Sequence, residues 1–485
     1  MSSSREDSIE EMECQELLAR DGESSIQLQS SSETTSLNDG VNEQQVPELI
    51  DLGKRRNESW MTFVSVFSMM FFPLGVGPAF GYTGWIPGLA MLFYAAFASY
   101  KSGMHLGDMC TRDKVVETYP KLAKLAGGSR GEGFVCAVQT LLYFSCGVFN
   151  IAYMPANFEQ LFFWHRGDWD NPSRNYHWYY VTWGIMCGGS LLPSYHDTLN
   201  ITIFSAIVSS INAFLQVVVI IFYQWEDRAL VKTSLVGEHL LQLLSALPAI
   251  AYTFGGHGVF PEEIREMKHP KEFPKMVRRL YACSVPIYLL CGIFSYHAYG
   301  NDINGNPILN WPPGLWITRL AAFFSLIGAL VISITSNQAT LIAIENNIVG
   351  VDAFQPILRF VKRDIVRNNC GRVPKVTLGE GKTAKDTRKA LVRILIRISF
   401  VTAQLIVALA LRKTPLQFLQ AFMGSVGVGF LTLTAPFLIY MKLNKGTLST
   451  AKMAQSWTFL VLGSLVVSVG VICSTAQMTM GPFER

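Results

Sequence analysis

Eleven long apolar stretches dominate this chain and decide what it can fold into. They run Trp60–Gly81, Trp85–Leu106, Phe134–Phe163, Trp178–Leu192, Leu199–Tyr223, Leu240–Phe260, Leu280–Tyr299, Leu315–Ile344, Val392–Leu411, Pro415–Tyr440 and Trp457–Met478. A helix rises about 1.5 Å per residue, so roughly 20 apolar residues cross the hydrocarbon core. The fourth stretch is the shortest; the third and eighth are long enough to tilt or to extend past the lipid. Only 16% of residues are charged, against about 25% in soluble chains. The apolar runs are continuous rather than alternating, which excludes a transmembrane β-barrel. Trp60, Trp85, Trp178, Trp316 and Trp457 fall near the ends of stretches, as membrane-interface aromatics do. The expected class is an all-α polytopic membrane protein with eleven transmembrane helices.

Charge is distributed unevenly along the chain. Residues 1–53 hold 13 Asp or Glu and two Arg, with no aromatic residue. This acidic, Ser-rich segment cannot bury enough apolar surface to fold alone, and it lacks the pattern of a signal peptide. The expected organisation is a disordered tail over 1–53 and a membrane domain over 54–485. If the tail is cytoplasmic, the connections on its side carry 27 Lys or Arg and those on the other side 7. Such a bias fixes orientation. The cysteines contain no CxxC pair, so no zinc site is expected, and none lies in an outer connection where a disulfide would form. No phosphate-loop, dinucleotide or metalloprotease motif occurs, and nothing suggests nucleic-acid binding. No metal, cofactor or catalytic constellation is expected.

Two stretches carry helix breakers at mid-depth. The first contains Pro73, Gly75, Gly77, Pro78, Gly81 and Gly84; the sixth contains Gly255, Gly256, Gly258 and Pro261. Proline removes a donor and glycine loosens the backbone. Freed backbone groups are costly in lipid, so such breaks belong beside protein or a wet cavity. The first and sixth spans open two five-helix halves, 60–223 and 240–440, with 457–478 as an extra helix. Interruptions at matching places in two halves point to a transporter binding site.

The stretch AYTFGGHGVFPEEIREMKHPKEFPKMVRRLYACSVPIYLLCGIFSYHAYG (251–300) resembles spans six and seven of the amino acid/auxin permease family, closer to its vacuolar branch. GWIPGLAML (84–92), ETYPKLAKLAGG (117–128) and FLQAFMGSVGVGFLTLTAPFLIYMKL (418–443) resemble it more loosely. The resemblance implies an amino acid transporter with the five-plus-five inverted-repeat fold of the leucine transporter and broken helices one and six. It also implies proton coupling, as in many members. The family's first helix commonly reads glycine-x-glycine, aliphatic, leucine-proline, whereas this chain has Gly75-Val76-Gly77-Pro78.

For a zwitterionic substrate, backbone amides near Gly75 and Gly77 suit the carboxylate and carbonyls around Phe254, Gly255 and Gly256 suit the ammonium. Phe72, Tyr143 and Phe254 are candidates for the side-chain pocket. Asn150 and Tyr153, with Ser333, Ser336 and Asn337 on helix eight, are candidate polar contacts or helix-to-helix ties. His257, with Glu262, is the candidate for carrying a coupling proton. Sodium stays open, since Ser333, Thr335 and Ser336 offer oxygen ligands. Glu13, Leu17 and Leu18 fit an acidic dileucine signal for a trafficking adaptor, which with the lack of usable glycosylation sites favours a vacuolar or lysosomal membrane. A proton-coupled carrier leads; an amino-acid-sensing receptor on the same fold is the alternative.

Overall fold

The computed structural model describes residues 57–112, 116, 118–171, 173–191, 199–224, 231–349 and 380–480. The tail, its Glu13, Leu17 and Leu18, and most of the basic connection at 359–389 lie outside them. The described residues are helical, with no sheet among them.

The first stretch forms α1 (Ser59–Met70), a 3-10 turn over Pro73–Gly75 and α2 (Val76–Thr83). Pro73 explains where it breaks. Its ring disfavours helical backbone in the preceding residue, and Phe72 takes φ −127° and ψ 65°. Pro78 breaks nothing, because it falls in the first turn of α2, where the missing N–H has no intrahelical partner to lose. The interruption therefore lies at Phe71–Phe72, directly ahead of Pro73, the first of the breakers to which the sequence pointed.

After α3 (Trp85–Thr111) comes α4 (Tyr119–Phe162), which bends at Gly128, φ 63°, where only glycine sits without strain. Then follow α5 (Tyr176–Ser190), α6 (Leu199–Tyr223) and α7 (Leu240–Tyr252). The sixth stretch breaks at Thr253–Gly256 and resumes as a 3-10 turn, His257–Val259, and α8 (Phe260–Glu266), bent 42° from α7. The second half continues with α9 (Phe273–Tyr299), α10 (Trp316–Val349), α11 (Glu380–Ala410) and α12 (Leu416–Met423). Beyond α12 the helix widens to π geometry over Gly424–Thr434 and returns to α13 (Ala435–Leu443), before α14 (Thr450–Met480).

Helices occupy all eleven apolar stretches, yet eight spans among the described residues are long and apolar enough to cross a membrane, or nine with the bent pair α7–α8. The expected eleven is therefore not established by length and apolarity. The two that fall short are α3, whose Tyr94, Ser99, Tyr100, Lys101 and Ser102 dilute its apolar run, and α5, only 15 residues long.

Two features tie the ends of the bundle. At one end, Asn57 N–H donates to Glu266 C=O at 3.0 Å, Lys268 N–H donates to Asn57 C=O at 2.9 Å, and Lys268 Nζ pairs with Glu58 at 2.5 Å. The start of α1 and the end of α8 are thus joined. The Lys268 ammonium holds the Glu58 carboxyl below its usual range, so this pair is complete at neutral pH and fades as pH falls through that lowered value. At the other end, residues 231–237 form a strap. Trp85 N–H donates to Ser234 C=O at 3.1 Å, and Gly237 N–H donates to Thr83 C=O at 2.8 Å. A third tie, between helices, is buried. Arg397 of α11 meets Glu345 of α10 through Nε–Oε1 at 2.5 Å and Nη2–Oε2 at 3.1 Å, and Nη1 donates to Ser190 C=O of α5 at 2.5 Å.

Candidate functional site

The two breaks meet. Tyr288, fully buried in the middle of α9, places its hydroxyl 2.9 Å from Met70 C=O and 2.8 Å from Thr253 C=O. Both are carbonyls that the interruptions deprive of helical donors. One proton serves two acceptors, so the hydroxyl is a shared clasp across the breaks. A second clasp comes from α12. The Gln420 side-chain amide donates to Ala249 C=O at 3.0 Å and to Gly75 C=O at 3.4 Å.

Beside these clasps lies a cavity of about 70 Å³, roughly five times the least space that holds one water. Its wall runs from Met69 to Leu74 on the first span, through Gly255, Gly256 and Val259 on the sixth, to Ser336 on α10. Four aromatic rings crowd one side. Phe72 stands edge-on to Phe149 and to Tyr153, with centroids at 6.0 and 5.9 Å, and Tyr252 closes the group 6.1 Å from Phe149. No residue among those described along the wall carries a formal charge. What the cavity offers a solute is backbone dipoles, hydroxyls, the Asn150 and Asn212 amides and aromatic faces.

The candidate residues divide by position. Phe72, Tyr143, Gly255, Gly256, Asn150, Tyr153 and Ser336 line the cavity. Gly75 lies just outside, bonded through its carbonyl to Gln420. Gly77 is inside α2, packed on Ser295 of α9 and Ile303; a methyl there would displace them. Phe254 turns away, its ring parallel to Tyr281 at 6.1 Å and edge-on to Tyr288 at 5.2 Å. Side-chain direction inside a non-helical turn follows no helical period, which is why the pocket aromatic of this segment is Tyr252. Ser333 bonds back to Ala329 C=O of its own helix at 2.7 Å. Asn337 exchanges two amide hydrogen bonds with Gln404 of α11, at 3.2 and 2.8 Å, tying α10 to α11.

His257 and Glu262 also stand off the cavity. His257 is fully buried against α3, with Nε2 2.8 Å from Ser99 C=O and its ring stacked on Phe260 at 4.4 Å. Glu262 Oε1 accepts from Gln139 Nε2 of α4 at 3.3 Å, and the same amide donates to Gly258 C=O at 2.7 Å. Its neighbour Glu263 accepts from Ser65 Oγ of α1 at 2.7 Å. So α8 holds one carboxylate toward α4 and the next toward α1. Gln139, Tyr288 and Gln420 were missed in the sequence, although a polar side chain inside an apolar stretch was the signal that marked them.

The family model described as "Transmembrane amino acid transporter protein" matches residues 57–479. Among curated proteins, the chain is similar to amino acid transporter AVT1C of Arabidopsis thaliana, 23% identical over 260 residues, or 50% of this chain and 44% of the relative. It is also similar to amino acid transporter AVT1E of the same plant, 22% identical over 250 residues, covering 50% and 46%. The matched region spans less than half the length of these relatives. Among solved structures, MHP1, a nucleobase-cation-symport-1 family transporter in a closed conformation with bromovinylhydantoin bound, aligns with TM-score 0.49 and 12% identity over 88% of this chain and 92% of that one. A sodium-coupled sialic acid symporter in a substrate-bound outward-open state aligns with TM-score 0.46 and 14% identity over 89% and 91%.

Proposed function

The chain belongs to the transmembrane amino acid transporter (amino acid/auxin permease) family, and from that premise we propose that it is a secondary active carrier of amino acids working by alternating access. The carrying observation is the pair of helix breaks that meet at one charge-free cavity under the Tyr288 clasp. The positive end of the half-helix that begins at Pro73 suits a carboxylate, while Gly75 N–H there already donates to Phe72 C=O at 3.3 Å. The carbonyls of the 253–256 break and the aromatic faces suit an ammonium. A net-neutral zwitterion fits such a wall. The proposal keeps the eleven-span, inverted-repeat arrangement with 1–53 on the cytoplasmic side, as the loop charges support, and residence in a vacuolar or lysosomal membrane.

Uptake of L-leucine into proteoliposomes under an imposed proton gradient tests the reading. Saturable uptake with counterflow is expected; binding without counterflow would instead indicate a sensor. In competition, lysine, arginine, aspartate and glutamate should be at least ~100-fold weaker than leucine, because an unpaired buried charge costs about 3–5 kcal/mol. Equal competition by any of these would mean a charged partner reaches the cavity.

Proton coupling is assigned to Glu262 and His257. Around Glu262 stand Glu263 and Arg265 of α8, Cys110 of α3, and Tyr119 and Gln139 of α4. Glu262 lies on the half-helix that must move against α4 if α8 swings, and protonation there would weaken the bond it accepts from Gln139. Glu262→Gln should remove the dependence of uptake on the proton gradient while leaving counterflow intact, and His257→Gln should weaken it. Unchanged gradient dependence in both would remove them from the coupling role and leave the helix-eight hydroxyls, and sodium, as the next candidates.

A further inference from the structure

A second cavity, larger than the first at about 560 Å³, lies at the end of the bundle that gathers residues 164–177, 300–315 and 412–414. Its size falls within the range of small-molecule sites, about 300–1,000 Å³. Its chemistry is opposite to that of the central cavity. Asp170 and Asp302 bring negative charge to it and Arg412 and Lys413 positive, so both poles of a zwitterion find a partner within one enclosure.

The floor of this vestibule is the connection between α9 and α10, and it is joined to the central cavity by consecutive hydrogen bonds. Asp170 Oδ2 accepts from Asn304 Nδ2 at 2.7 Å. Asn304 Oδ1 accepts from Asn306 N–H at 2.9 Å. Asn306 Nδ2 donates to Asn157 Oδ1 at 3.0 Å, and Tyr153 donates to Asn306 Oδ1 at 3.4 Å. Asn157 and Asn306 are fully buried, and Tyr153 lines the central cavity. One end of this chain is an exposed carboxylate in the vestibule; the other is the wall of the proposed substrate site.

We propose that the vestibule binds a second amino acid zwitterion, and that its occupancy releases the 304–306 segment from above the central cavity. The proposal rests on the amino-acid reading of that cavity. The arriving ammonium takes Asp170, since a bond ionised on both sides is stronger than the amide-to-carboxylate bond it displaces, while the carboxylate takes Arg412 or Lys413. Asn304 then loses its anchor, and with it the hold of its Oδ1 on the Asn306 backbone.

Equilibrium binding of radiolabelled L-leucine to the purified full-length chain in lipid nanodiscs tests this, read together with hydrogen–deuterium exchange over residues 300–311. The wild-type chain should bind two molecules, and leucine should accelerate exchange in 300–311. The combined variant Asp170→Asn, Arg412→Gln, Lys413→Gln should bind one and lose the acceleration. High salt should weaken the vestibule site selectively, as its charges are exposed. One molecule bound by both proteins overturns the second site and leaves the central reading standing. No binding by either overturns both readings. Two molecules bound with unchanged exchange overturns the link to the segment.

Discussion

Replacing Arg397 by methionine should destabilise the membrane domain by about 3–5 kcal/mol, the largest loss expected from any single change. The Arg397 and Glu345 side chains are 5% and 0% exposed, and the pair is bidentate, with a further bond to Ser190 C=O. Removing the guanidinium leaves a carboxylate buried among α5, α10 and α11 that has lost its bidentate partner and keeps only the nearby Arg393 as a cation. The penalty comes from that stranded charge more than from lost attraction. It follows that Glu345→Leu added to Arg397→Met should recover most of the stability. Thermal unfolding in detergent, followed by intrinsic fluorescence, checks both. A single mutant as stable as the wild type would mean that Arg393 or water takes over Glu345.

Tyr288→Phe should cut amino acid uptake by an order of magnitude or more while the protein still reaches the membrane. The phenyl ring keeps the packing on Phe71 and Phe254, at 5.7 and 5.2 Å between centroids. Only the hydroxyl is lost, and with it the donor shared by Met70 and Thr253 carbonyls. Each buried carbonyl left without a donor costs about 1–3 kcal/mol, which corresponds to roughly a factor of 5 to 150 in any equilibrium that keeps the breaks together. Expression level, fluorescence-detected size exclusion and initial uptake rate separate a folding defect from a transport defect. Normal uptake by the variant would show that the breaks hold their relation without the clasp.

The sequence exposed the helices better than their ends. Apolar length marks where lipid is crossed, but a helix continues as long as its backbone can bond. Thus α4 begins at Tyr119 rather than Phe134, and α11 at Glu380 rather than Val392. That the first and sixth stretches are interrupted was legible from proline and glycine. Which breaker acts in the first one was not, because Pro73 acts on the residue before it while Pro78 is harmless in a first turn. The cavity wall was half legible. Phe72, Gly255 and Gly256 follow from the breaks themselves. Tyr252, Phe149 and the clasping Tyr288 depend on which way side chains face across non-adjacent helices, and no local pattern encodes that. Likewise Asn337 is a mid-span amide like Asn150, and only its meeting with Gln404 distinguishes an anchor from a cavity wall.

The π geometry of Gly424–Thr434 bears on how this segment tolerates insertion and deletion. A widened turn is a helix carrying surplus residues relative to the α repeat. Excising one residue there would let the backbone tighten toward the α repeat, and the extra rotation gained by each remaining residue would offset the lost one. Tyr440, stacked on His105 at 3.8 Å, and Phe437, stacked on Phe459 at 5.1 Å, would stay in phase with their partners. A single-codon loss is therefore better absorbed in this stretch than in the regular α-helices on either side of it.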